Sequence, residues 1–273
     1  MRKVVTALAA TASLFVVTHQ ALAQVTVPSQ PQPGPFPTST GNVDGGLLAV
    51  VWNGSTSIIQ WLGLKQSQVD VPHMTDSTAD PSGVHLDFGT ISGFSSTFGS
   101  DVSGVNYLIV AARAGTTNAN NLMLTTALAP PSLTNQGLVG ANRQVRDFIT
   151  NIINNSVGCN SVNPCIAHSA TDPQYAGTLA GNLFTNTNFT QSAAINNPLF
   201  FYSIQGNTAG NGSPAGVTAY SGSLGDGKWL LDLNGKLTYD YGTVSNVPLP
   251  AAVWLLLSGL AGMASVGRRK LSA

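Results

Sequence analysis

Short apolar runs separated by turn residues recur along the chain from Asn42 to Asn246. Gly, Asn, Ser and Thr fill the intervals between the runs. This spacing is typical of many short strands, so it predicts a mainly β fold, sandwich or barrel-like. The first run, Leu47–Trp52, is apolar throughout and predicts a strand buried on both faces. The other predicted strands are Ser57–Trp61, Val84–Phe88, Tyr107–Ala112, Leu122–Ala127, Leu199–Ile204, Val217–Ser221, Trp229–Leu233 and Lys236–Tyr241.

A hairpin is predicted around Asn234 and Gly235, which separate the last two runs. Both residue types tolerate the positive φ that a two-residue type I′ turn requires. That turn would place Leu230, Leu237 and Tyr239 on one face, which we expect to be the more buried face. The expected cross-strand pairs are Leu233 with Lys236, Leu231 with Thr238 and Trp229 with Asp240.

Two stretches depart from the strand pattern and predict one or two helices packed against the sheet. In Asn142–Val157 the apolar residues recur at helical intervals, and Gly158 is placed to end the helix. A second helix is predicted from Asp172 to Phe184, because an acidic cap precedes a proline at the first helical position. The apolar stripe of the first helix comprises Val145, Phe148, Ile149, Ile152 and Ile153.

The beginning of the chain has the organisation of a secretory signal peptide. Arg2 and Lys3 form a basic start, and a mostly apolar run follows them. The run is too short for a good membrane-spanning helix, and an uncleaved anchor is the alternative interpretation. The predicted cleavage site consists of Ala21 and Ala23, with Gln24 as the first residue of the mature chain.

The end of the chain combines a rigid entry, an apolar run and a basic stop. The entry consists of Val247, Pro248, Leu249 and Pro250, whose two prolines fix φ and cannot donate backbone hydrogen bonds. The 18 residues Leu249–Val266 carry no charge. As a helix they would be about 27 Å long, close to the ~30 Å hydrocarbon core of a bilayer. The basic residues that follow, Arg268, Arg269 and Lys270, predict a cytoplasmic stop.

These three parts resemble the PEP-CTERM sorting signal of bacterial surface proteins, in its VPLPA variant, and Leu249 stands where the better-known form has Glu. The resemblance covers about a tenth of the chain. It implies an inner-membrane-anchored precursor with a periplasmic body. A membrane protease of the exosortase type would cut near the proline motif and release or re-anchor the protein at the cell surface, often in bacteria that make exopolysaccharide. An ordinary single-pass anchor is the alternative interpretation.

The chain is therefore expected to divide into four parts. Val25–Gly41 holds five prolines and few apolar residues, which is typical of an extended linker. The body that follows is long enough for one domain with a substantial core, or for two small ones. The parts are a signal peptide at 1–23, a Pro-rich linker at 24–41, a β-rich exported domain at 42–246 and the sorting signal at 247–273.

Charge is distributed unevenly between these parts. The chain has 11 basic and 11 acidic residues, but five of the basic residues lie in the two terminal signals. The body keeps six basic residues against eleven acidic ones, a formal charge of −5. No basic patch remains for nucleic acid, so we expect no nucleic-acid partner.

The two cysteines, Cys159 and Cys165, predict a disulfide, because an even cysteine count in an exported protein favours disulfide pairing. A metal site is the alternative, and His168 would be the nearby third ligand. The wider metal-binding candidates are His73, His85, His168, Asp76, Asp80 and Asp87.

Catalytic motifs are absent from the sequence. Neither HExxH nor GxSxG occurs, and no two histidines share a helical face. The loop that contains Asp70, Asp76 and Asp80 either binds Ca²⁺ or forms turns. The aromatic residues Trp52, Trp61, Trp229, Tyr239 and Tyr241 either form a sugar-stacking platform or pack in the core.

We therefore expect an exported protein of the cell surface or extracellular matrix with a structural or adhesive role. We assign it no catalytic residues, metal or cofactor, and its expected partners are an exosortase-type protease and exopolysaccharide. Two alternatives belong to other classes. One is an exported hydrolase that acts on polysaccharide or peptide, and the other is a membrane-anchored module that binds carbohydrate or Ca²⁺.

Overall fold

A computed structural model describes residues 46–75, 83–155, 164–172, 174–177 and 190–242. Strands dominate this part of the chain, so the prediction of a mainly β fold is confirmed. The strands are β1 (Gly46–Trp52), β2 (Ser57–Lys65), β3 (Val84–Thr90), β4 (Asn106–Arg113), β5 (Leu122–Ala127), β6 (Cys165–Ala167), β7 (Ala193–Ala194), β8 (Leu199–Gln205), β9 (Gly216–Ala219), β10 (Ser221–Gly222), β11 (Gly225–Asp226), β12 (Lys228–Leu231) and β13 (Lys236–Tyr241). The helices are α1 (Val71–Met74), α2 (Phe94–Phe98) and α3 (Asn135–Asn155), with 3₁₀ turns at Gln66–Gln68 and Asn118–Asn120.

Eleven of these strands form a single sheet in the order β3-β13-β12-β8-β5-β4-β1-β2-β6, with β7 beside β4 and β9 beside β8. The neighbours pair antiparallel, as expected for strands joined by short connections. The sheet curls into a half-barrel. The strands β10 and β11 form a separate small hairpin.

The central strands β1 and β4 are buried on both faces of the sheet. Leu47, Ala49 and Val51 pack in one core cluster, whereas Leu48 and Val50 pack in another. We call the first side of the sheet the inner face and the second the outer face. The two-sided burial predicted for the first apolar run is therefore confirmed.

The inner core joins opposite ends of the sheet. It contains Leu86 from β3 and Ile58 from β2, which lie near the two ends of the strand order. The backbone N–H of Ser92, which precedes α2, donates to Oε1 of Gln60 on β2 at 2.8 Å. The sheet thus curls around the inner core, and the α2 segment crosses the gap between its ends.

The outer core forms where α3 packs on the central strands. The helix begins at Asn135 rather than at the predicted Asn142. Its first turn is stabilised by Thr134, whose hydroxyl accepts a hydrogen bond from the N–H of Gly137 at 3.1 Å. Residues 156–158, including the predicted stop, lie outside the described residues. The buried stripe contains Leu138, Ala141, Val145, Phe148, Ile149 and Ile152.

The second predicted helix lies mostly outside the described residues. Oδ1 of Asp172 accepts a hydrogen bond from the N–H of Gln174 at 2.9 Å, but Gln174 and Tyr175 are not helical, so Asp172 stabilises a turn rather than the predicted start of a helix. Among the described helices, α3 included, none is both long and apolar enough to cross a membrane.

The turn between β12 and β13 has three residues instead of the predicted two. The N–H of Asp232 donates to the carbonyl of Lys236 at 2.9 Å, and Gly235 has a φ of 77°. Asn234 does not adopt the positive φ that a type I′ turn needs. The carboxylate of Asp232 accepts hydrogen bonds from the N–H groups of Asn234 and Lys236, both at 2.8 Å, and this stabilises the wider turn.

The wider turn shifts the hairpin register by one residue, so the predicted cross-strand pairs are wrong. Leu231 lies opposite Leu237, and Trp229 lies opposite Tyr239. These four side chains are fully buried in the inner core, whereas Leu230 on the other face is only partly buried. A shift of one residue moves each side chain of a strand to the opposite face. Leu231 is therefore buried in place of the predicted Leu230.

Candidate functional site

A cleft of about 530 Å³ lies on the outer face, where the loop after β5 passes β8 and β9. Side chains alternate along β8, with Phe201 in the inner core and Ile204 in the outer core. Phe200 and Tyr202 therefore lie on the outer face, and both line the cleft. A volume of this size falls within the range of roughly 300–1,000 Å³ that is typical of ligand pockets.

The walls of the cleft are largely apolar and partly open. Pro130 and Pro131 form one wall, and Leu128 and Val217 lie at the rim with 48% and 36% of their surface exposed. In the described part of the chain, Leu233 is the one other large apolar residue that is exposed to a comparable extent. An apolar concavity of this kind is a candidate contact site.

Two polar groups line the same cleft. The Tyr202 side chain is largely buried, and its hydroxyl forms no hydrogen bond to a described residue. Burial, together with the negative charge of Asp226, raises the pKa of Tyr202. The Asp226 carboxylate also lines the cleft, and Nζ of Lys228 lies 5.2 Å from the Phe200 ring centre beside it. The cleft therefore offers a hydroxyl donor, a carboxylate acceptor and flat apolar surfaces.

A second polar group of side chains lies on the outer face of β3 and β13. Nδ1 of His85 is 2.9 Å from Oδ1 of Asp240, and Thr238 donates to the other carboxylate oxygen of Asp240 at 3.4 Å. Lys236 and Asp87 form an ion pair at 2.7 Å, and this hydrogen bond lowers the pKa of Asp87. Because the carboxylate lies between the imidazole and the hydroxyl, His85 is not placed to activate Thr238 as a nucleophile.

The predicted metal-binding residues do not converge among the described residues. His85 and Asp87 lie on β3, whereas His168 is exposed just after β6. Asp76, Asp80 and the side chain of His73 lie outside the described residues. In the part of the chain that the structure describes, no group of three or more His, Cys, Asp or Glu side chains could hold a metal ion.

The predicted aromatic platform is part of the core. Trp229, Tyr239 and Tyr241 are at most 1% exposed, and Trp61 is 4% exposed. Only Trp52 of the predicted set is partly exposed. The sugar-stacking interpretation of the four buried rings is therefore wrong, because their faces are covered by neighbouring side chains.

The residues assigned to export and processing lie outside the described residues. They are Ala21, Ala23, Gln24, Val247, Pro248, Leu249, Pro250, Arg268, Arg269 and Lys270. Cys165 is disulfide-bonded, and its predicted partner Cys159 also lies outside the described residues. The sorting signal, the signal peptide and the Cys159–Cys165 pairing remain predictions.

Sequence reasoning did not single out the cleft. Phe200 and Tyr202 lie in a predicted strand with the sequence LFFYSI, whose apolar residues do not show which face is covered. Nothing in the sequence shows that the loop with Pro130 and Pro131 passes across β8 and β9. No family model, curated protein or solved structure matches the chain.

Buried tyrosines tie the loops to the inner core. Tyr239 donates a hydrogen bond to the carbonyl of Met74 at 3.1 Å, and Tyr220 donates to the carbonyl of Val69. The hydroxyl of Tyr107 lies 2.9 Å from the carbonyl of Trp229. Burial raises the pKa of Tyr107, Tyr220 and Tyr239. These tyrosines are part of the inner core, whereas the cleft on the outer face is open to solvent among the described residues.

These tyrosines give the domain a characteristic alkaline titration. A free tyrosine ionises near pH 10. The folded state favours the neutral hydroxyls, so their contribution to stability is complete below about pH 10 and is lost as the pH rises further. We expect Tyr107, Tyr220 and Tyr239 to ionise only when the domain unfolds, as followed by tyrosinate absorbance and circular dichroism.

A Tyr239→Phe variant provides the control for this titration. It should remove one of the three tyrosines from the absorbance change that accompanies unfolding. Reversible ionisation of all six tyrosines near pH 10 with the fold retained would contradict the burial described above.

Proposed function

We propose that this chain is an exported protein of the cell surface or extracellular matrix with a structural or adhesive role. Its route is the one that the two terminal signals predict, with the body exported first and the tail then processed by an exosortase-type protease. The outer-face cleft is its contact site for a neutral sugar of the surrounding exopolysaccharide.

The cleft is the observation that carries the proposal. It combines the aromatic side chains of Phe200 and Tyr202 with the carboxylate of Asp226. Sugar rings present apolar C–H faces that pack on such surfaces, and their hydroxyls donate to carboxylates. The exposed rim at Leu128 and Val217 leaves room for a polymer to continue beyond the cleft.

A hydrolase is supported less well by the described residues. The His85–Asp240 pair is the arrangement that would favour it, but neither residue lines the cleft. Among the described residues that line the cleft, Asp226 is the single carboxylate, whereas hydrolysis of a glycosidic bond by the usual routes needs two carboxyl groups. The surface role is therefore the better-supported one.

Intact mass of the native protein, combined with cell fractionation, tests the proposed route. The expected species begins at Gln24, ends close to Val247–Pro250 and is found at the cell surface or in the matrix. Replacing Pro248 and Pro250 with alanine should retain the tail and leave the protein in the inner membrane. A native protein that keeps residues 1–23 and stays in the cytoplasm contradicts the proposal.

Glycan-array binding by the purified protein tests the contact site. Asp226→Asn should weaken binding of neutral glycans about tenfold, because a charge-assisted hydrogen bond is lost. Leu128→Ala should weaken it about threefold through lost apolar contact at the rim.

Two matched variants serve as controls for these measurements. Leu233→Ala removes a similarly exposed leucine on the β12–β13 turn, and Asp101→Asn changes an exposed carboxylate away from the cleft. Both should bind like the unmodified protein, with or without Ca²⁺. If no neutral glycan binds, or if all four variants bind equally well, the cleft is not the contact site.

A further inference from the structure

One row of side chains crosses four strands of the outer face and begins at the cleft. Phe200 on β8 lies opposite Lys228 on β12, which in turn lies opposite Asp240 on β13. Asp240 lies opposite His85 on β3. Three steps of about 4.8 Å between neighbouring strands make the row about 14 Å long.

Direct contacts connect several members of this row. Nζ of Lys228 lies 5.2 Å from the centre of the Phe200 ring, and His85 is 2.9 Å from Asp240. The side chains of His85 and Asp240 are 28% and 41% exposed, so both contact solvent. Thr238 connects Asp240 to the next row of the same face.

The inner core holds the strands beneath this row in place. Trp229 and Tyr239 are neighbours of Lys228 and Asp240 in sequence, but they point to the inner face. Their ring centres are 5.2 Å apart, and Trp229 also packs against Phe201 at 5.6 Å. Side chains that rigid strands hold in place lose little conformational entropy when they bind a ligand.

The charges of this surface are balanced. Lys228 and Lys236 carry positive charge, and Asp240 and Asp87 carry negative charge in equal number. Asp226 adds one further carboxylate at the cleft. With Asp226 included, three carboxylates face two ammonium groups, so this surface disfavours an acidic polymer, whereas a neutral chain can use both the donors and the acceptors.

We propose that the cleft and this row form one continuous site for a neutral polysaccharide chain, which we call the outer strip. One sugar ring packs in the cleft on Phe200 and Tyr202, and the following rings lie across β12, β13 and β3 in hydrogen bonds with Lys228, Asp240 and His85. The outer strip rests on the proposed function, because it extends the same contact site. It specifies an extended oligosaccharide as the ligand in place of a single sugar.

A size series of neutral glucan oligosaccharides, measured by calorimetry with the purified protein, tests this inference. Affinity should rise with each added sugar until the outer strip is filled, and then level off. His85→Ala should leave binding of the shortest ligand unchanged and weaken the longest about three- to tenfold, the effect of one or two hydrogen bonds. Asp226→Asn should weaken every member of the series.

His168→Ala is the matched control, because it removes an exposed histidine away from the outer face of β3. It should leave the whole series unchanged. If short and long ligands bind equally well and only Asp226→Asn weakens binding, the inference of an outer strip is wrong, whereas the cleft remains supported as a contact site. If none of the neutral ligands binds, the proposed function itself fails. If acidic oligosaccharides bind more tightly than neutral ones of the same length, the inference that the outer strip binds a neutral chain is wrong.

Discussion

The structure depends on the burial of its central strands on both faces. Leu47 and Leu48 are neighbours in sequence that point in opposite directions, and both are at most 1% exposed. A sheet with two apolar faces must cover each of them, and the described chain uses a different solution on each side. It curls to enclose the inner face, and it places the amphipathic helix α3 on the outer face.

The position of the cleft follows from this division. Many aromatic side chains are buried on the inner face, among them Trp229, Tyr239 and Phe201. Helix α3 packs mainly on β4 and β5, and the outer side of β8, β9, β12, β13 and β3 keeps partly exposed side chains. The loop at 128–131 covers one part of this area and creates the cleft. The strands below this area and the incomplete cover above it leave exposed the surface on which we propose that an extended ligand binds.

The sequence predicts those features that rest on local patterns. The two-sided strand at Leu47–Trp52 and the helical stripe around Val145 both follow from hydrophobic spacing, and both are present. The hairpin register was missed because the carboxylate of Asp232 stabilises a wider turn than Asn234-Gly235 suggests. The cleft was missed because it depends on the path of a loop over strands distant in sequence. The buried aromatic rings could not be distinguished from a binding platform without knowing which side chains cover them.

The most direct test of two-sided burial compares Leu47→Ala with Leu48→Ala in equilibrium unfolding by denaturant. Each substitution removes a fully buried side chain from a different core cluster. Both variants should lose about 2–5 kcal/mol of unfolding free energy, the usual cost of such a cavity. A sheet with one solvated face would instead leave one of the two variants within about 0.5 kcal/mol of the unmodified protein, and that result would contradict this account.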